Sequence, residues 1–313
     1  MDQAFVFPGQ GSQALGMGRE LAEAFAAARE VFEEVDEALG QNLSRLMFEG
    51  PEEDLILTEN AQPALMAVGH AVWRVLEREG GLDMAAACRF VAGHSLGEYA
   101  ALASAGAIGL ADTARLVKTR GRAMQEAVPV GEGAMVALIG VDRATADDIA
   151  QEAAGDEVCA VANDNAPDQV VVSGSRAAVE RAADIAVERG AKRAIMLPVS
   201  APFHCPLMEP VAEVMAEALA ETEIRPPAVP LISNVRARPV TEPDTIRADL
   251  VAQVTDVVRW RECVLYLKQE GVERVVELGA GRVLTGLARR IDRELEAISI
   301  QGPADVESFL DGI

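Results

Sequence analysis

Apolar positions along the chain follow two alternating periods, and the alternation predicts the fold. Residues 4–7 are a short apolar run stopped by Pro8-Gly9, the pattern of a buried strand ending in a turn. Residues 17–38 then carry a helical repeat, and within 62–79 Leu65, Val68, Val72 and Val75/Leu76 fall on one helical face. Phe90-Val91-Ala92 reads as a second buried strand and 96–105 as the helix after it. Strand, tight turn and helix in that order build a parallel sheet covered by helices.

The pattern changes between about residues 126 and 198. Strands are predicted at 134–139, 158–162, 170–173 and 193–197, with helices at 143–154 and 177–188. That β-α-β-β-α-β order is ferredoxin-like. Strands at 231–235, 275–278 and 297–300 then restore the first pattern. The expectation is an α/β protein in two parts: a large α/β domain from residues 1–126 and 199–313, and an inserted ferredoxin-like subdomain over 127–198. A cleft is expected between them.

Composition narrows the function. Half of the 313 residues are hydrophobic but only 4% are aromatic, so the core must be built from aliphatic side chains packing helices on a sheet. The formal net charge of −22 excludes a basic field for nucleic acid and disfavours an anionic membrane surface. The longest charge-free candidate, residues 99–111, is too short to span a bilayer. No basic and then apolar leader opens the sequence. Cys88, Cys159, Cys205 and Cys263 lack CxxC or CxxH spacing and read as free thiols in a reducing compartment, so a cytoplasmic protein is expected.

The chemistry centres on Gly93-His94-Ser95-Leu96-Gly97, a G-x-S-x-G match between a predicted strand and a predicted helix. Such an elbow holds its serine in a strained turn that tolerates only small neighbours, and the helix start aims N–H groups at a developing oxyanion. A serine hydroxyl also needs a base. Of the three histidines, His94 adjoins the serine, where successive side chains point apart, and His70 lies at helical spacing among apolar residues. His204 follows a strand end in a loop stiffened by Pro202, the position where catalytic loops of α/β sheets gather, and is the base by elimination. No Asp or Glu is evident to orient it, which leaves a backbone carbonyl. On a helical wheel Leu110, Ala114, Val117, Gly121 and Met124 form an apolar face, and Arg120 falls at its edge, away from Arg115, Lys118, Arg122 and Glu126. A guanidinium turned inward needs either an anionic ligand or a structural ion pair. Asn163 and Asn165 read as loop residues after a strand, suited to ligand contact or to turn formation.

Six motifs in order resemble one family. They are Phe7-Pro8-Gly9-Gln10-Gly11-Ser12-Gln13, Gly93-His94-Ser95-Leu96-Gly97-Glu98, Arg120-Gly121, Met124-Gln125-Glu126-Ala127-Val128-Pro129, Ala201-Pro202-Phe203-His204 and Val283-Leu284-Thr285-Gly286-Leu287. Together they resemble the malonyl-CoA:acyl carrier protein transacylases of type II fatty-acid synthesis, a family shared with the acyltransferase domains of polyketide synthases. The resemblance implies an α/β-hydrolase-like core with a ferredoxin-like insert. It implies Ser95 as the acylated nucleophile, His204 as base, Gln10 and the Leu96 N–H as oxyanion hole, and Arg120 on the substrate carboxylate. Gln253, seven residues before Trp260, corresponds to the residue whose carbonyl orients the histidine; Val257 departs from the proline common in relatives. Phe203 before His204 resembles malonyl users rather than methylmalonyl users. No metal or redox cofactor is implied. The implied partners are malonyl-CoA and acyl carrier protein. For so acidic a chain, docking of the carrier points to local basic groups: Lys192 and Arg193, or the Arg289, Arg290 and Arg293 cluster. Open alternatives are a trans-acting polyketide acyltransferase, a serine thioesterase or hydrolase on the same elbow, and a non-catalytic carrier-binding module.

Overall fold

The computed structural model describes residues 2–199 and 201–312. Its first sheet contains β1 (Gln3–Phe7) and β2 (Phe90–Gly93). A separate four-stranded sheet follows, made of β3 (Gly133–Ile139), β4 (Cys159–Ala166), β5 (Gln169–Ser175) and β6 (Arg193–Met196). The chain then returns to the first sheet with β7 (Leu231–Ile232), β8 (Pro239–Val240), β9 (Arg274–Leu278) and β10 (Glu296–Ile300). The first sheet has the order β10-β9-β1-β2-β7-β8 and is parallel except for the β8 edge.

Side chains along β1 alternate between two apolar clusters, as period 2 requires. Phe5 and Phe7 join Val91, Leu65, Val68, Val72 and Leu76 on one face. Ala4 and Val6 join Trp260, Val264, Leu284 and Leu287 on the other. Both faces are therefore covered by helices, which is why β1 is buried at every position. Burying each of these phenylalanines contributes about 1.5–3 kcal/mol.

The second sheet has the order β4-β5-β3-β6 with antiparallel neighbours, the ferredoxin-like arrangement expected from the sequence. Its faces divide in the same way. Val136 and Leu138 of β3 pack with Ile149, Val172 and Val179 under the helices Arg143–Ala154 and Arg176–Glu188. Met135 and Ala137 instead join the core of the large sheet. The inner face of the small sheet thus forms one wall of a cleft. All four cysteines are unpaired; Cys88, Cys205 and Cys263 are buried and Cys159 is half-buried.

Three local expectations need correction. The helix expected over 17–38 is two helices, Arg19–Ala24 and Ala26–Leu39, separated by an extended Phe25. The strand expected over 231–235 stops at Ile232. Asn163 and Asn165 lie inside β4 rather than in a loop, where register shifts near 161–163 and 164–166 accommodate the polar run.

Candidate active site

Ser95 sits in the turn between β2 and the helix Gly97–Ser104, at φ 53°. A non-glycine residue in this region costs about 1–3 kcal/mol and needs its surroundings to hold it. The surroundings are tight: a Cβ on Gly93 would lie 1.9 Å from the Gly97 carbonyl carbon, and one on Gly97 2.2 Å from the Phe7 carbonyl oxygen. Asn234, which follows the neighbouring strand β7, clamps the turn. Its Oδ1 accepts the Ser95 N–H at 2.8 Å and its Nδ2 donates to the Gly93 carbonyl at 2.7 Å.

His204, also at positive φ (56°), follows the Pro202-Phe203 loop and is buried. Its Nδ1 lies 2.8 Å from the Gln253 carbonyl oxygen. A carbonyl only accepts, so Nδ1 carries the proton and Nε2 is bare. Nε2 in turn lies 2.8 Å from Ser95 Oγ and accepts its hydroxyl proton. Burial, and then the nearby Arg120 charge, push the imidazole down to about 3, against the pull of the Gln253 carbonyl. The histidine is thus a neutral acceptor at rest.

Arg120 lies on the helix Leu110–Glu126 with 1% of its surface exposed. Its Nη1 donates to Gln62 Oε1 at 2.9 Å, and its Nη2 donates to Gln253 Oε1 at 2.9 Å and to Ser95 Oγ at 3.0 Å. The guanidinium also stands 5.8 Å from the centroid of the Tyr99 ring. Among the described residues it makes no ion pair: the desolvated cation beside the serine hydrogen-bonds to neutral groups, and the buried Glu98 carboxyl acts on it only through space.

These groups open on a cavity of about 380 Å³ between the two sheets, lined also by Met124, Phe203 and Met135 of β3. Gln10 lines it too, with Nε2 donating to Thr58 Oγ1 at 3.2 Å. Leu96 caps the helix Gly97–Ser104, so its N–H is among those a helix start leaves without an intrahelical acceptor. Asn163 reaches the cavity wall; Asn165 Oδ1 instead lies 2.8 Å from Nε2 of His94. His70 is remote from Ser95 in contact terms, buried between Ser104 (3.2 Å) and Arg74 (3.1 Å).

A serine, a neutral histidine oriented by a carbonyl, a helix start and an inward guanidinium in one cavity suit acyl transfer from a donor with a distal anion. Residues 4–299 match the family described as the acyl transferase domain. The chain belongs to this acyl transferase family. Over 308 residues, 98% of each chain, it is 45% identical to the malonyl CoA-acyl carrier protein transacylase of Escherichia coli (strain K12). It superposes on the crystal structure of the acyl-carrier-protein-S-malonyltransferase from Bartonella henselae with a TM-score of 0.97, at 52% identity and full coverage of both chains. A malonyl-transacylase solved in complex with its type II polyketide acyl carrier protein gives a TM-score of 0.96 at 43% identity, again over the whole of both chains.

Three polar residues of this acyl transferase site received no role from the sequence, Glu98 entering it only as the last residue of the elbow motif. Gln62 and Asn234 act through contacts 58 residues from Arg120 and 139 from Ser95 along the chain. Glu98 is the third. It is buried in the first turn after the elbow, where its Oε1 accepts the Asn234 N–H at 2.7 Å and its Oε2 accepts from Gln253 Nε2. Burial pushes its carboxyl up to about 8, opposed by those two donors. Of the basic groups considered for docking, Lys192 and Arg193 are exposed and pair with no carboxylate among the described residues. The Arg289 cluster is largely engaged: Arg290 with Asp168 (2.6 Å) and Gln169 (2.5 Å), Arg289 with the Ala297 carbonyl (2.7 Å).

Proposed function

We propose that the protein transfers malonyl from malonyl-CoA to the phosphopantetheine thiol of acyl carrier protein through a malonyl-serine ester. The observation that carries this reading is Arg120, a buried cation without a carboxylate partner whose Nη2 lies 3.0 Å from Ser95 Oγ. A short acyl chain ending in a carboxylate supplies the missing anion while its carbonyl meets the serine. In the proposed cycle His204 Nε2 takes the Ser95 proton as Oγ attacks the thioester carbonyl. The Gln10 amide and the Leu96 N–H meet the oxyanion. The C–S bond breaks, the imidazolium returns its proton to the departing sulfur, and coenzyme A leaves. The carrier thiol then attacks the ester by the same steps in reverse.

The family and its malonyl-transferring relatives support fatty-acid synthesis as the setting. The carrier-bound relative favours polyketide synthesis as a second setting. We assign residues 127–198 to an inserted subdomain and residues 1–126 and 199–313 to the catalytic domain. Lys192 precedes and Arg193 opens β6, the strand that runs into cavity residues Leu197, Pro198 and Val199, and both are assigned to carrier docking. The unpaired thiols fit a reducing compartment, so we assign the enzyme to the cytoplasm; no helix among the described residues is long and apolar enough to cross a membrane.

Intact-protein mass spectrometry tests the reading. Mixing with malonyl-CoA should add one malonyl group, and carrier protein bearing a free thiol should remove it. The Ser95→Ala protein should stay folded and unlabelled; a malonyl mass on it would overturn the nucleophile assignment.

A further inference from the structure

The side-chain amide of Gln253 has only one orientation its neighbours permit, and Glu98 is one of the three groups that set it, with Arg120 and the Ser95 carbonyl. The residue makes four contacts in the site. Its backbone carbonyl accepts from His204, its Oε1 accepts from Arg120 Nη2 at 2.9 Å, and its Nε2 donates both to the Ser95 carbonyl at 3.0 Å and to Glu98 Oε2. Turned over, the amide would face its nitrogen to a guanidinium and its oxygen to two oxygens. Glu98 is held in place by the Asn234 N–H on its other oxygen, and the same Asn234 clamps the Ser95 turn.

We infer that Glu98 is a positioning residue that fixes the polarity of the Gln253 amide and so seats Arg120 for the anionic end of the acyl group. The inference rests on the malonyl-transfer reading above. Glu98 touches neither the serine hydroxyl nor the cavity; it acts at one remove through Gln253 Oε1. The part of the machinery most dependent on it is therefore anion recognition. The Ser95–His204 pair depends on it less, because the partner of His204 is a main-chain carbonyl that an amide flip does not move.

Substituting Glu98→Gln tests this at almost constant volume. The new side chain must keep its oxygen on the Asn234 N–H, which turns its NH2 group toward Gln253 Nε2, donor against donor. Gln253 then flips or swings away, and either motion takes Oε1 off Arg120. Two rates on the protein separate the roles: kcat/KM for acylation of Ser95 by malonyl-CoA, and inactivation by phenylmethanesulfonyl fluoride, a neutral reagent that reads the reactivity of Ser95 without a carboxylate for Arg120 to hold. The malonyl rate is expected to fall at least tenfold further than the inactivation rate. Parallel losses in both, or a loss in neither, would overturn the inference and leave Glu98 a structural residue. Should Glu98→Gln not yield folded protein, Glu98→Asp, one methylene too short to reach Gln253, decides by the same ratio. A wild-type protein that takes no malonyl would instead sink the transfer reading, an outcome distinct from a lost ratio in the variants.

Discussion

Replacing Arg120 with alanine separates what the guanidinium does for malonyl from what it does for any acyl group. Two charge-assisted N–H···O bonds to a malonyl carboxylate contribute about 1.5–3 kcal/mol each in favourable geometry. Taking the low end for both gives about 3 kcal/mol, or about 10²-fold in kcat/KM at tenfold per 1.4 kcal/mol. Arg120 also donates to Ser95 Oγ at 3.0 Å, and that bond serves every acyl donor. Its loss costs about 1 kcal/mol, so acetyl transfer should fall about fivefold. That common loss cancels in the ratio, so selectivity for malonyl over acetyl should drop by about two orders of magnitude. Stability should change little in comparison. Gln62 and Gln253 lose a donor, at about 1–3 kcal/mol each, while a buried charge with no carboxylate beside it is removed. The assay is single-turnover acylation of Ser95, followed by intact mass with malonyl-CoA and with acetyl-CoA. Equal losses for the two donors would show that Arg120 supports the fold of the site rather than the substrate carboxylate.

Three further outcomes are expected. Because burial and Arg120 hold His204 down to about 3, its neutral form persists as pH falls. The rate of Ser95 modification by a neutral sulfonyl fluoride should lose its acid limb well below pH 6.5, and a midpoint at or above 6.5 would contradict the neutral-base assignment. Gly93→Ala places a methyl 1.9 Å from a backbone carbon, so it should prevent folding or lower Tm by many degrees, whereas Ser95→Ala should leave Tm nearly unchanged in the same calorimetric series. Reversing Lys192 and Arg193 to Glu should raise KM for carrier protein most at low ionic strength, with acylation by malonyl-CoA less affected; carrier kinetics unchanged across a salt series would remove these residues from docking.

The elbow was legible because its constraints are local. Gly93 and Gly97 flank a strained serine for steric reasons that five consecutive residues display. The alternating periods likewise predicted both sheets, since each strand takes its period from the faces it covers. The break at Phe25 escaped notice because Phe25-Ala26-Ala27-Ala28 has the composition of continuous helix, and only packing shows the chain turning there. Asn163 and Asn165 suggested a turn by residue type, whereas the bulged β4 carries them within a sheet. Elimination among three histidines reached His204, but its carbonyl partner could be assigned to Gln253 only through the family resemblance. Gln62 and Asn234 were invisible as functional groups, and Glu98 was visible only as part of the elbow motif, because hydrogen-bond polarity across a folded core leaves no periodicity in the chain.

The burial of the four cysteines matters for an enzyme that works among thioesters. A thiol near malonyl-CoA competes with the serine only as thiolate, and the resulting thioester would be an off-path acyl carrier on the enzyme itself. Burial pushes Cys88 up to about 12 and the half-buried Cys159 up to about 11. Cys205 lies one residue from the base, yet it is fully packed, its thiol donating to the Pro202 carbonyl at 3.2 Å and its ionisation pushed up by burial. Near neutral pH these thiols stay protonated. In the proposed cycle sulfur nucleophilicity is thereby left to the incoming carrier arm, and self-acylation to the Ser95 hydroxyl.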